Sequence, residues 1–366
     1  MRCTVGPVVV RSLTVTVTDE PRRPGPPGTH RDDYPNVAAW LDGADPSHYW
    51  VRLLDTERDP AVRPPTVADM VLGPLEILIY AVRSATPKKL DQFIRSRFRD
   101  PDPANVLSAR LELLCAANLA IRHVPFEFGG TAEPDLTWNP GTDAQGWLEI
   151  HRGAFSVFDD LQQALDRELA AKAAILTIRL GEWPLDVPGR NLLHTRISNA
   201  IDAAVASGSD QAVAMPELGE GVTGVVEPRQ EIPGIGRIFV QHPGITPSGG
   251  YLASAAARLA RKINEDKAAQ GRKGNWDAGG TALLIDISTA HLAQLLGQDG
   301  LAAWLDDVLV DWDDLPFAAV AVCFSHLHGP FLWGSCRYRP DLDPDQRAHL
   351  EPVLSALSLP ATPGHV

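Results

Sequence analysis

The chain has little that would staple it covalently and little that would carry it into a membrane. Its four cysteines, Cys3, Cys115, Cys323 and Cys336, are scattered through 366 residues without a paired spacing. That excludes a disulfide framework and reads as reduced intracellular thiols. The opening stretch, MRCTVGPVVVRSLTVTV, has only a brief apolar run before Arg11, too short for a signal segment or a membrane span. A cytoplasmic protein without membrane contact is expected. Positive charge is also scarce: 33 Lys and Arg stand against 46 Asp and Glu, for a net charge of −13. Broad attraction to nucleic acid is excluded on that balance, because phosphate binding depends on clustered Lys and Arg and the counterions they release. A local basic patch remains compatible with it. There is no Gly-x-Ser-x-Gly elbow, paired-cysteine motif or His-Glu-x-x-His helix, so serine-hydrolase, dithiol-redox and zincin chemistries lack their residues.

What is present is ordinary for a globular chain with a sizeable core: 44% hydrophobic and 22% charged residues. Residues 1–37 include DEPRRPGPPGTHRDDYP, whose Pro and Gly density predicts an extended linker. Residues 38–100 read as a helical leader. Within it, Arg83, Lys88, Lys89, Arg95, Arg97 and Arg99 form the densest basic cluster, readable either as a solvated helix face or as a phosphate-tracking patch.

The stretch from Glu112 to His151 organises the rest. LSARLELLCAANLAIRH is an apolar helix that sets Glu112 among Leu107, Leu111, Leu114, Ala117 and Leu119. A carboxylate in that setting needs a partner. VPFEF, PDLTW and WLEI then follow as three short strands closed by Gly, Pro, Asn or Asp. Asp135 opens the second strand and Glu149 lies near the end of the third, so three carboxylates could meet at one point of a small sheet.

Downstream, FSVFDDLQQALDRELAAKAA, ILTIRLG and LLHTRISNAIDAAVASG read as helix, strand and helix, expected to add a layer to the same sheet. SAAARLARKINEDKAAQ, TALLIDIS, AWLDDVLVDW and FAAVAVCF alternate helix and buried strand. HGPFLWGSCRYRP suggests a hairpin turning at Gly329-Pro330, and residues 341–366 a last helix and tail. The expected class is α/β, a mixed central sheet flanked by helices.

Two further motifs are ambiguous as written. Gly219 to Gly224 spells GxGxxG, yet VVEPRQEIPG after it cannot form the helix that dinucleotide binding requires. Cys323, His326, His328 and Cys336 list ligands that zinc accepts, while Cys323 in so apolar a strand reads as a small core residue. The carboxylates too have a structural reading, in which Glu149 pairs with Arg152 or Arg179.

Helix glutamate, Pro134-Asp135, and Glu149-Ile150-His151 after a hairpin, with Lys267-x-x-Gln270 on a later helix, together resemble the PD-(D/E)XK, or restriction-endonuclease-like, superfamily. The resemblance covers roughly residues 101–340. It implies a restriction-endonuclease-like core with an N-terminal helical extension, a site built from Glu112, Asp135, Glu149, His151 and Lys267, Mg²⁺ held by Asp135 and Glu149, and a nucleic acid as substrate. Mg²⁺ takes oxygen ligands, and in phosphodiester hydrolysis it neutralises developing charge and acidifies the attacking water. The chain departs from the family pattern at His151, where the pattern has Lys. His151 then serves as a weaker base, or Lys262 or Lys267 reaches in, or cleavage is lost. The resemblance thus implies a nuclease-like protein with weak or lost Mg²⁺-dependent phosphodiesterase activity, or a non-catalytic interaction protein on the same scaffold, engaging a protein partner.

Overall fold

Among the described residues ten strands carry the architecture: β1 (Phe126–Phe128), β2 (Leu136–Trp138), β3 (Gly146–Arg152), β4 (Ala174–Arg179), β5 (Gln211–Ala214), β6 (Thr223–Pro228), β7 (Arg237–Gln241), β8 (Thr281–Asp286), β9 (Ala319–Ser325) and β10 (Leu332–Tyr338). They are seen in a computed structural model that describes residues 28–57, 66–130, 133–152, 157–180, 190–228, 237–241, 249–274, 276, 280–287, 293–309, 315–325 and 332–357. The fold is α/β. Its central sheet is mixed, in the order β1-β2-β3-β8-β9-β10. β1, β2 and β3 run antiparallel as a meander, β3, β8 and β9 are parallel, and β10 returns antiparallel to β9.

Alternation along the strands divides the interior into two cores. Leu148 and Ile150, with Ala282, Leu284, Ala319 and Ala321, face a core shared with the helix Pro103–Ile121 and the N-terminal helices. Leu283, Ile285, Val320 and Val322 face the other, shared with the helix Gly249–Arg261 and the second sheet. β8 is buried along its whole length, as a parallel strand covered on both faces should be.

The expected extra layer is corrected here. β4 to β7 build a four-stranded sheet of their own, in the order β5-β6-β4-β7. The reason lies in β3, whose two edges are taken by β2 and β8, leaving no free edge for β4 to join. The segment between β3 and β8 therefore acts as the long crossover that a parallel pair requires, folded into a sheet-bearing unit. GxGxxG is a turn into β6: Gly219 and Gly221 have φ of 140° and 71°, and Gly224 lies within the strand.

The helix Pro103–Ile121 starts cleanly, with Asp102 accepting from the Ala104 N–H at 3.0 Å and Pro103 at the first turn. Among the described residues it holds the one span, Ala104–Ile121, long and apolar enough to cross a membrane, and 67% of that span is buried inside the fold. Its apolar character serves the core. The leader packs against it and starts earlier than expected. Residues 28–37 are ordered, with Val37 buried and the Tyr34 hydroxyl donating to Asp69 at 2.6 Å. The remainder of the Pro-rich stretch, the Gly329-Pro330 turn, His326 and His328 lie outside the described residues. Cys115, Cys323 and Cys336 are fully buried free thiols, and burial pushes Cys323 and Cys336 upward, which suits core packing rather than ligation.

Candidate functional site

The site lies where the meander meets the helix Pro103–Ile121. β1 and β2 are drawn together by a bond from the Gly129 N–H to the Asp135 carbonyl at 2.8 Å. Gly129 is required there, since a Cβ would stand 1.8 Å from the Pro134 carbonyl oxygen. This close turn fixes Asp135 at the start of β2, and its Oδ2 accepts from the Ile150 N–H of β3 at 2.8 Å. Glu112 comes from the helix and Glu149 from the middle of β3. All three carboxylates are buried, at 6%, 8% and 3% exposure.

Each carboxylate has a cation supplied by the chain. The Arg97 Nη1 bridges two of them, donating to Glu112 Oε1 at 2.7 Å and to Asp135 Oδ1. The Lys267 Nζ donates to Glu149 Oε1 at 2.6 Å and to Gln270 Oε1 at 3.1 Å, and Gln270 Nε2 closes the loop onto Glu149 Oε1 at 3.2 Å. The structural alternatives for Glu149 are corrected: its partner is Lys267, while Arg152 pairs with Asp286 at 3.7 Å.

Both cations sit on π-type turns, Ile94–Phe98 and Lys262–Lys267, local widenings of a helix that recur at functional sites. Packing pins the first of these. Phe98 is fully buried, with Trp50 at 4.7 Å and Trp40 at 5.1 Å between ring centroids, and the Arg99 Nε donates to the Trp40 carbonyl at 2.7 Å. With its next two neighbours anchored, Arg97 is aimed at the carboxylates. The basic cluster thus divides: Arg97 turns inward, Arg99 ties the leader, and Arg83, Lys89 and Arg95 line an open cleft of about 450 Å³.

Burial dominates the electrostatics. It pushes Glu112 up to about 8 and Glu149 up to about 7, with the Asp135 charge adding to both and Arg97 and Lys267 pulling back. The Asp135 carboxylate therefore stands within electrical reach of the other two. Burial opposes the charge on Arg97, but Glu112 and Asp135 outweigh it and raise its pKa. His151 lies two residues beyond Glu149 on the same face of β3. Burial, and then the charges of Lys267 and Lys262, push it down to about 3. It is neutral at physiological pH and a poor proton acceptor, and its Nε2 is buried without a hydrogen-bond partner.

The oxygens do not present themselves to a metal ion as they stand. Arg97 and the Ile150 N–H occupy Asp135, Lys267 and Gln270 occupy Glu149 Oε1, and Arg97 occupies Glu112 Oε1. Only Glu112 Oε2, among the oxygens of these three groups that are buried from solvent, has no partner. Among the described residues no three of His, Cys, Asp and Glu are grouped so as to hold a metal. The role of Arg97 is the part sequence reasoning missed. The signal was indirect: a buried Glu112 demands a cation, and the nearest upstream basic cluster contains one.

Compared with known proteins, the chain matches no family model, no curated protein and no solved structure.

Proposed function

We propose that the chain is a PD-(D/E)XK nuclease-like protein whose phosphodiesterase activity on nucleic acid is weak because its own cations hold the carboxylates. One observation carries the reading: the ammonium of Lys267 lies 2.6 Å from Glu149, on the motif acid whose companion Lys is replaced by His151. An ammonium arriving from the π-type turn Lys262–Lys267 supplies the missing positive charge. Held by Glu149 and Gln270, it can steady negative charge building on a phosphoryl oxygen, a task that neutral His151 performs poorly. No step through a metal is assigned, since Arg97 occupies the bridging position.

The test is cleavage of supercoiled and single-stranded DNA with Mg²⁺ or Mn²⁺. Slow cleavage by the wild type is expected, lost in Asp135→Ala and in Glu149→Ala. The double change His151→Lys with Lys267→Gln returns the ammonium to β3 and is expected to cleave faster than Lys267→Gln alone. Cleavage that survives loss of either carboxylate overturns the assignment. The second reading, a non-catalytic scaffold, is favoured by the Arg97 bridge itself. It prevails if neither the wild type nor the double variant cleaves.

A further inference from the structure

Three of the six exposed large apolar side chains among the described residues stand on one helix, Val67–Ala85: Met70 at 41% exposure, Ile77 at 51% and Tyr80 at 66%. Scattered singly, such residues are ordinary at a surface. These three share a face, since seven positions make two helical turns and three more reach the next. The stripe lies opposite Leu75 and Val82, which are buried in the core. At its C-terminal end it runs into the open cleft of about 450 Å³, which begins at Arg83, three positions after Tyr80, and is lined further on by Lys89 and Arg95. Lys89 is held there by Glu133 and Arg83 by the Asn36 side chain. Both contacts are exposed, and exposed contacts of this kind contribute little, so an incoming carboxylate can replace them.

We propose that this face docks an amphipathic helix of a partner protein, its apolar anchors on Met70, Ile77 and Tyr80 and its acidic first turn in the cleft of Arg83, Lys89 and Arg95. Helix docking reads anchors at i, i+3 or i+4, and i+7, the spacing that the stripe offers. Met70 to Arg83 spans about 20 Å, which a partner helix of roughly 14–16 residues covers. Acidic residues favour a helix N-terminus, so the partner runs antiparallel to Val67–Ala85. Charge complementarity selects this occupant over others. A nucleic acid answers the cations but leaves Met70 and Ile77 in water, and the net charge of −13 opposes a polyanion. A second copy brings the same net charge against its twin. The docking face stands apart from Glu112, Asp135 and Glu149, and from whether they support cleavage.

The experiment is fluorescence anisotropy of the full chain with a labelled helical peptide of roughly 16 residues, glutamates in its first turn and leucines at i, i+3, i+7 and i+10. Saturable binding below about 0.1 mM is expected. Ile77→Glu, and separately Arg83→Glu with Arg95→Glu, are each expected to weaken it at least tenfold. Lysines in place of the peptide's glutamates should do the same. The substituted positions are exposed, so circular dichroism and melting should match the wild type. No saturable binding, or binding that Ile77→Glu leaves unchanged, overturns the proposal. So does a dimer in sedimentation that Ile77→Glu dissolves, which gives the stripe to a second copy. Single-stranded DNA that displaces the peptide and binds Ile77→Glu as well as wild type overturns it in favour of nucleic acid.

Discussion

Lys267 and Glu149 stand 118 positions apart in the chain and meet at 2.6 Å, the lysine side chain 10% exposed and the glutamate 4%. A buried pair of this kind costs much desolvation, and breaking it by removing one partner leaves a buried charge alone. Lys267→Met is therefore expected to destabilise the chain by about 3–5 kcal/mol. Glu149→Leu with Lys267→Met is expected to recover most of that loss, since two apolar groups need no compensation. Urea unfolding of the three proteins checks it, and a double variant as unstable as the single one would show that the pair is not isolated from its surroundings.

Stability should respond to pH through the carboxylates. Glu112 and Glu149 are raised from 4.5 to about 8 and about 7 by burial and then by Asp135. The folded chain therefore keeps protons that the unfolded chain has released, and their contribution to stability is present at pH 4–5 and declines as pH rises toward 8. Glu112→Gln mimics the protonated form. Its stability relative to wild type is expected to improve by roughly 4 kcal/mol between pH 5 and pH 8.5. Taking the difference between the two proteins cancels the buried histidines, His48 and His151, whose lowered values act in the opposite sense. A flat difference across that range would refute the shift.

Gly129→Ala tests the turn that places Asp135. The added Cβ would lie 1.8 Å from the Pro134 carbonyl oxygen, a backbone atom that no rotamer change can clear. A loss near the top of the ~1–3 kcal/mol range for overpacking is expected, with the hairpin forced open and the Asp135-to-Ile150 bond lengthened. Thermal melting and amide exchange at Ile150 report the two effects separately. An unchanged exchange rate at Ile150 would mean that the turn does not set the carboxylate.

Phe98→Ala tests whether the leader holds the site. Phe98 is fully buried against Trp40 and Trp50, and His48 Nε2 contacts its carbonyl at 3.1 Å. Truncation is expected to cost ~3–5 kcal/mol and to loosen the π-type turn that aims Arg97. If so, amide exchange at Arg99, whose N–H donates to the Ile94 carbonyl at 3.1 Å, should accelerate at temperatures where the variant remains folded. A destabilised variant with wild-type exchange at Arg99 would separate the aromatic anchor from the turn.

Much of this was legible in the residues themselves. The helix around Glu112 was readable from its apolar run, and so was its need for a partner. The three short strands came from turn residues, while Lys267 and Gln270 were singled out only by the family resemblance. Two things were not legible. Arg97 belongs to a basic run whose members look alike in sequence, and only the burial of Phe98 and the tie at Arg99 decide that this one faces inward. The second sheet was likewise hidden, because the β4 pattern is the same whether it joins β3 or not.

Local chemistry settled what each segment would become: apolar periodicity made the helices, alternation and turn residues made the strands, and a carboxylate set among leucines called for a cation. Tertiary structure alone chose which cation answers. Strand pairing used up both edges of β3, and aromatic packing fixed the direction of a single guanidinium. Such choices depend on contacts between residues tens to more than a hundred positions apart, whose energies no local pattern encodes.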